Sequence, residues 1–184
     1  MGVFVKIASW LFGLMLVGLS GFVSLETLAR KIFNFSFQGA DELGGYVLAV
    51  SGSLAFTIAM LERGHIRLDF VHERLPPRVQ GVLNWLSCLL LAVLGLFFAR
   101  YCYTVISETL DYRSTAATLW ATPLIYPQSL WYLALLSFSL ASLILALKAT
   151  GDLIRGDTAA LNRRFGPKTV REEVDEEVGD FRQR

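Results

Sequence analysis

Glu62-Arg63-Gly64-His65-Ile66-Arg67-Leu68-Asp69-Phe70-Val71-His72-Glu73-Arg74-Leu75-Pro76-Pro77-Arg78 lies between two runs without a charge, Leu43 to Leu61 and Gly81 to Ala99. Each run approaches the roughly 20 residues that an α-helix needs to cross the hydrocarbon layer. The segment between them is therefore expected at a membrane surface. Its four arginines say which one, because short loops rich in Lys and Arg stay on the cytoplasmic side.

Working outward, two more uncharged runs are long enough to span, Ile7 to Leu25 and Pro127 to Leu147. With 54% hydrophobic and only 18% charged residues in 184, and a mean hydropathy of +0.49, the chain is more apolar than soluble domains are. The pattern predicts an all-α integral membrane protein. Residues 1–155 form a four-helix domain with spans at about 7–25, 43–61, 81–99 and 127–147, and residues 156–184 form a polar, disordered cytoplasmic tail.

The net charge of +1 decides little, since orientation follows the placement of Lys and Arg rather than their sum. If the amino end, the Arg63 to Arg78 loop and the tail share one side, that side holds 13 of the 17 basic residues; Arg30, Lys31, Arg100 and Arg113 are left for the other. Both termini are thus expected in the cytoplasm. The first run imitates a secretory signal, with Lys6 before an apolar core and small residues at Gly18 to Gly21, but it continues to Leu25, which favours a retained span.

Loop chemistry adds detail. Glu26 and Arg30 are four apart and suit a surface ion pair above the first span. Asp41 and Glu42 precede the second span, where carboxylates favour a helix start. Gly45, Ala49 and Ser53 offer a narrow face for close helix packing. Pro77 suits the first turn of a helix, so the third helix is expected to run from there to about Ile106. Ser114 to Tyr126 is uncharged but holds Pro123, and reads as a partly buried outer loop.

Much chemistry is missing from the pattern. No ionisable residue falls in the middle of a run, where ion and substrate pathways place theirs. His65 and His72 sit among arginines and read as polar interface residues, not as metal or haem ligands. Cys88 and Cys102 are separated by about 21 Å of helix, too far for a disulfide. A small multidrug exporter would carry a carboxylate inside its first span, whereas Glu26 lies at the edge; a membrane oxidoreductase would place its cysteines or histidines otherwise. No catalytic residue, cofactor, metal or nucleic-acid partner is expected.

The series Arg30-Lys31-Ile32-Phe33-Asn34, Gly39-Ala40-Asp41-Glu42-Leu43-Gly44-Gly45-Tyr46, Glu62-Arg63-Gly64-His65-Ile66-Arg67-Leu68-Asp69, Leu75-Pro76, Thr122-Pro123-Leu124 and Pro127-Gln128 resembles the small permease subunit of tripartite ATP-independent periplasmic (TRAP) transporters. What the resemblance implies is a bacterial inner-membrane scaffold that transports nothing alone. It would pack beside a large permease subunit, which binds sodium and substrate, and help dock a periplasmic substrate-binding protein that delivers an organic acid. Arg63, Gly64, His65, Arg67 and Asp69 would then contact the large subunit or lipid headgroups at the cytoplasmic face. Arg30, Asp41, Glu42, Glu108, Asp111, Arg113, Pro123, Pro127 and Gln128 would serve the periplasmic face.

Overall fold

The computed structural model describes residues 3–62 and 74–166. Four long helices carry the fold: α1 (Val3–Phe33), α2 (Ala40–Leu61), α3 (Pro77–Tyr112) and α4 (Ile125–Ile154), followed by the short α5 (Thr158–Phe165). All four long helices are long and apolar enough to cross a membrane, and the described residues hold no strand beyond one isolated bridge, Thr115 to Pro123.

Local chemistry sets the boundaries. Asn34 adopts φ 50°, a left-handed conformation that asparagine tolerates, and stops α1. Pro76 is extended (φ −62°, ψ 147°) and Pro77 occupies the first helical position of α3, where its missing N–H costs nothing. At the other end of α3, Arg113 (φ 48°) sends its N–H to the Leu110 carbonyl and Ser114 sends its own to Thr109, the paired bonds of a Schellman stop. Gly156 (φ 72°) closes α4 in the same way, with Gly156 N–H to Leu153 O and Asp157 N–H to Asp152 O. Asp157 then caps α5, its carboxylate accepting from the Ala160 amide at 2.8 Å. The third helix thus ends at Tyr112 rather than near Ile106; its 36 residues give about 54 Å.

One pair of consecutive helices, α2 and α3, is parted in space by α4. α1 packs on α2, α2 on α4, and α4 on α3, with α5 seated against α3 and α4. The α3–α4 contact is the tightest: a Cβ at Gly95 would lie 3.0 Å from the Ser139 Cα and 2.8 Å from Ser142 Oγ. Small residues permit such approach where the bilayer offers no hydrophobic drive for helices to associate. Between α2 and α4 the hydroxyls of Thr57, fully buried, and Ser137 meet at 3.1 Å. The narrow face expected on α2 is only partly used, since Ser53 is buried while Gly45 and Ala49 are exposed. Packing there centres on Val50 and Leu54 against Ala134.

α1 touches the bundle along one side only. Trp10 is 77% exposed, Leu14 and Val17 are exposed, and no heavy atom lies within 4 Å of a Cβ built at Gly13, Gly18 or Gly21.

The expected disordered tail requires correction over its first part. Residues 158–165 are helical, and Leu161 is fully buried with Phe165 against Cys88, Ala92, Ala146 and Ala149. Leu161 and Phe165, four apart, put two apolar side chains on one face of a short polar helix, enough to dock it. Asn162 completes the seat, donating to the Pro77 carbonyl at 2.9 Å and accepting from Asn84 at 3.1 Å. Residues 167–184 lie outside the described region.

Candidate functional site

Two buried carboxylates organise the end of the bundle where α1 stops and α2 and α4 begin, here called the platform end. Glu26, near the end of α1, is only 2% exposed. It accepts from Arg30 Nη2 at 2.9 Å, from the Ser36 hydroxyl at 2.5 Å and from the Phe37 amide at 2.8 Å. A carboxylate leaves water only when its oxygens are satisfied, and these three donors do so while folding residues 34–39 back over α1. The expected Glu26–Arg30 pair is therefore present, but the carboxylate is not the water-exposed surface group its position suggested.

Glu42, in the first turn of α2, is also buried. It accepts from the Tyr46 hydroxyl at 2.9 Å, and from the hydroxyls of Thr118 and Thr122. Both threonines belong to the loop between α3 and α4, which closes on itself through Ala116 N–H to Thr122 O (2.9 Å) and Leu124 N–H to Ser114 O (3.1 Å). In the same loop the Trp120 indole donates to the Phe37 carbonyl at 3.1 Å. Its ring lies over Gly39, where any Cβ would overlap it. Phe37 in turn packs against Phe22 and Phe35, with ring centroids 6.0 and 5.1 Å away.

The opposite end, where α3 starts and α4 stops, is held differently. Trp85 donates to Thr150 at 3.0 Å, and Arg164 of α5 reaches the buried Asp152 at 3.2 Å.

Of the residues singled out in the sequence, Arg30, Glu42 and Pro123 join the platform network directly or through Glu26 and the Thr115–Pro123 bridge. Asp41, Glu108, Asp111 and Arg113 are exposed around it. Pro127 and Gln128 lie half-buried in the first turn of α4, where the Gln128 Oε1 is buried without a hydrogen-bond donor. Arg63, Gly64, His65, Arg67 and Asp69 fall outside the described residues. Sequence reasoning missed Ser36, Thr118 and Trp120; a tryptophan three residues before Pro123 signals only an interfacial aromatic.

Among the described residues no group of three or more His, Cys, Asp or Glu side chains is placed to hold a metal. The arrangement is one for holding two loops in a fixed relation, and comparison with known proteins says in what setting. Residues 19–155 match the family of Tripartite ATP-independent periplasmic transporters, DctQ component. The chain belongs to this family. A DctQ component is a small membrane subunit of a TRAP transporter, so the chain is a multi-pass protein of the bacterial inner membrane. It is also similar to the sialic acid TRAP transporter permease protein SiaT of Haemophilus influenzae (strain 86-028NP), with 23% identity over 96 residues. That stretch is 52% of this chain but only 16% of SiaT, so the DctQ chain corresponds to a small part of that larger permease.

Proposed function

We propose that this DctQ subunit scaffolds the large, sodium- and substrate-binding permease subunit and helps dock a periplasmic substrate-binding protein during uptake of an organic acid. The observation that carries the reading is the division inside the bundle. The charged side chains of the four described spans sit toward their ends, the deep α2–α4 contact is a pair of hydroxyls, and α1 leaves one whole side uncovered. Ion-coupled transporters build their sites from broken helices or charged groups near the midplane, whereas these four helices run unbroken. The similarity to part of a sialic acid permease supports an acidic organic substrate for the assembled transporter.

Reconstitution into proteoliposomes under a sodium gradient tests this. The complete transporter with its substrate-binding protein is expected to accumulate substrate, and this chain alone to accumulate none. Accumulation by this chain alone overturns the scaffold reading.

Docking from the periplasm requires the platform end to face outward, with the Arg63 to Arg78 segment inside, as the distribution of basic residues predicts. Cys88 and Cys102 are both buried and are replaced first. Single cysteines then go to Gln38 and Ala159, exposed positions at opposite ends of the bundle. In intact cells, an impermeant thiol reagent is expected to label position 38 and spare 159; the reverse pattern inverts the topology.

A further inference from the structure

We propose that the hairpin between α3 and α4 and the segment between α1 and α2 form a single docking unit for the soluble substrate-binding protein, locked by Trp120 over Gly39. The inference rests on the docking role proposed above and names the device that makes the platform one surface rather than two loops.

The hairpin is stiff by itself. Its two cross-strand bonds are joined at the turn by Ala121 N–H to Thr118 O at 3.1 Å, with Ala121 in the left-handed region (φ 45°). It is fastened at two separate points. Thr118 and Thr122 bind Glu42 at the start of α2, and Trp120 binds the Phe37 carbonyl, which is itself fixed because the Phe37 amide is held by Glu26. One carboxylate thus anchors each loop, and Trp120 is the clamp between them. The clamp depends on the residue it covers, since the indole occupies the space that a side chain at position 39 would need.

The exposed side of this clamp mixes apolar and charged groups. Leu119 is 78% exposed at the turn, with Phe35 and the outer edge of Trp120 also uncovered, and Gln38, Asp41 and Arg113 are exposed on the same two loops or at their borders. Aromatic and apolar groups within a polar rim suit a soluble protein face better than acyl chains. Holding both loops in place beforehand removes the ordering cost from each encounter, which matters for a partner that must bind and leave repeatedly.

The test uses the complete reconstituted transporter, with uptake measured as its own substrate-binding protein is titrated. Gly39→Val displaces the indole and is expected to raise the half-saturating concentration of that protein about tenfold, as the loss of the Trp120–Phe37 hydrogen bond between the loops and of the ordering it provides would, with the maximal rate retained. Trp120→Phe keeps a ring but removes the N–H and is expected to show a smaller rise. Should the valine variant fail to assemble, Trp120→Phe carries the decision by itself. Arg113→Glu and Glu108→Lys, exposed substitutions outside the clamp, test docking independently. If these two shift the half-saturating concentration while the clamp variants do not, the lock is refuted and docking stands. If none of the four shifts it, docking at this face is refuted and the lock with it.

Discussion

Replacing Gly95 with leucine is expected to force α3 away from α4 and lower the melting temperature of the folded subunit. Even a single carbon at this position would stand 3.0 Å from the backbone of Ser139, and Ser142 Oγ, the other near atom, is engaged with the Ser139 carbonyl at 2.9 Å. Backbone cannot rotate away as a side chain can, so the helices themselves must move. Overpacking of this kind costs about 1–3 kcal/mol and sometimes more. For a chain of this size the melting temperature falls by about 2–4 °C per kcal/mol. Gly95→Ala should show a smaller drop. Gly18→Leu is the control, because nothing surrounds Gly18 in the isolated subunit. Thermal melting of the purified subunit in detergent compares all three, and equal midpoints for Gly95→Leu and Gly18→Leu would remove Gly95 from its place in this packing.

Glu26→Leu is expected to release the segment between α1 and α2. The substitution leaves the Phe37 amide and the Ser36 hydroxyl without their acceptor and Arg30 without its partner. Hydrogen exchange at the Phe37 amide should rise by about tenfold, the scale set by losing one bond to a charged acceptor. Because the Phe37 carbonyl holds Trp120, the indole fluorescence should shift as well. Glu26→Gln keeps an acceptor but removes the charge and should fall between. Unchanged exchange at Phe37 in the leucine variant would show that the segment is held by its aromatic packing instead.

The spans were legible because each is an uncharged run of membrane length, and so was the start of α3, because proline belongs in a first turn. The helical ends were legible only in part. α3 outruns its apolar run to Tyr112, since charged residues such as Glu108 and Asp111 extend a helix beyond the hydrocarbon without penalty. Glu26 looked like a solvated end residue because its burial is produced by Ser36 and Phe37, ten and eleven residues on, and no local pattern announces such a return. Trp120 and Phe37 meet across 83 residues. The α3–α4 seam at Gly95 was hidden for a related reason: glycine, Ser139 and Ser142 are ordinary membrane-helix residues until two helices are laid together. α5 did carry a signal, in Asp157 as a cap and Leu161 and Phe165 one turn apart, but eight residues, half of them polar, do not outweigh the charged segment that follows.

The order in which the helices pack has a consequence for how the chain is made. α1 and α2 form a pair as soon as both have left the ribosome, yet the next helix to emerge, α3, packs mainly on α4 and α5 rather than on α2. At roughly 5–20 residues per second, synthesis from Tyr112 to Ile154 occupies a few seconds. During that interval α3 has its final length but not its final neighbour, and Gly95 faces lipid or the insertion machinery. Only when α4 slots between α2 and α3, and Leu161 arrives to seat α5, is the bundle closed. The bundle therefore cannot close until α4 is complete, because the last long helix lies between two that precede it in the chain.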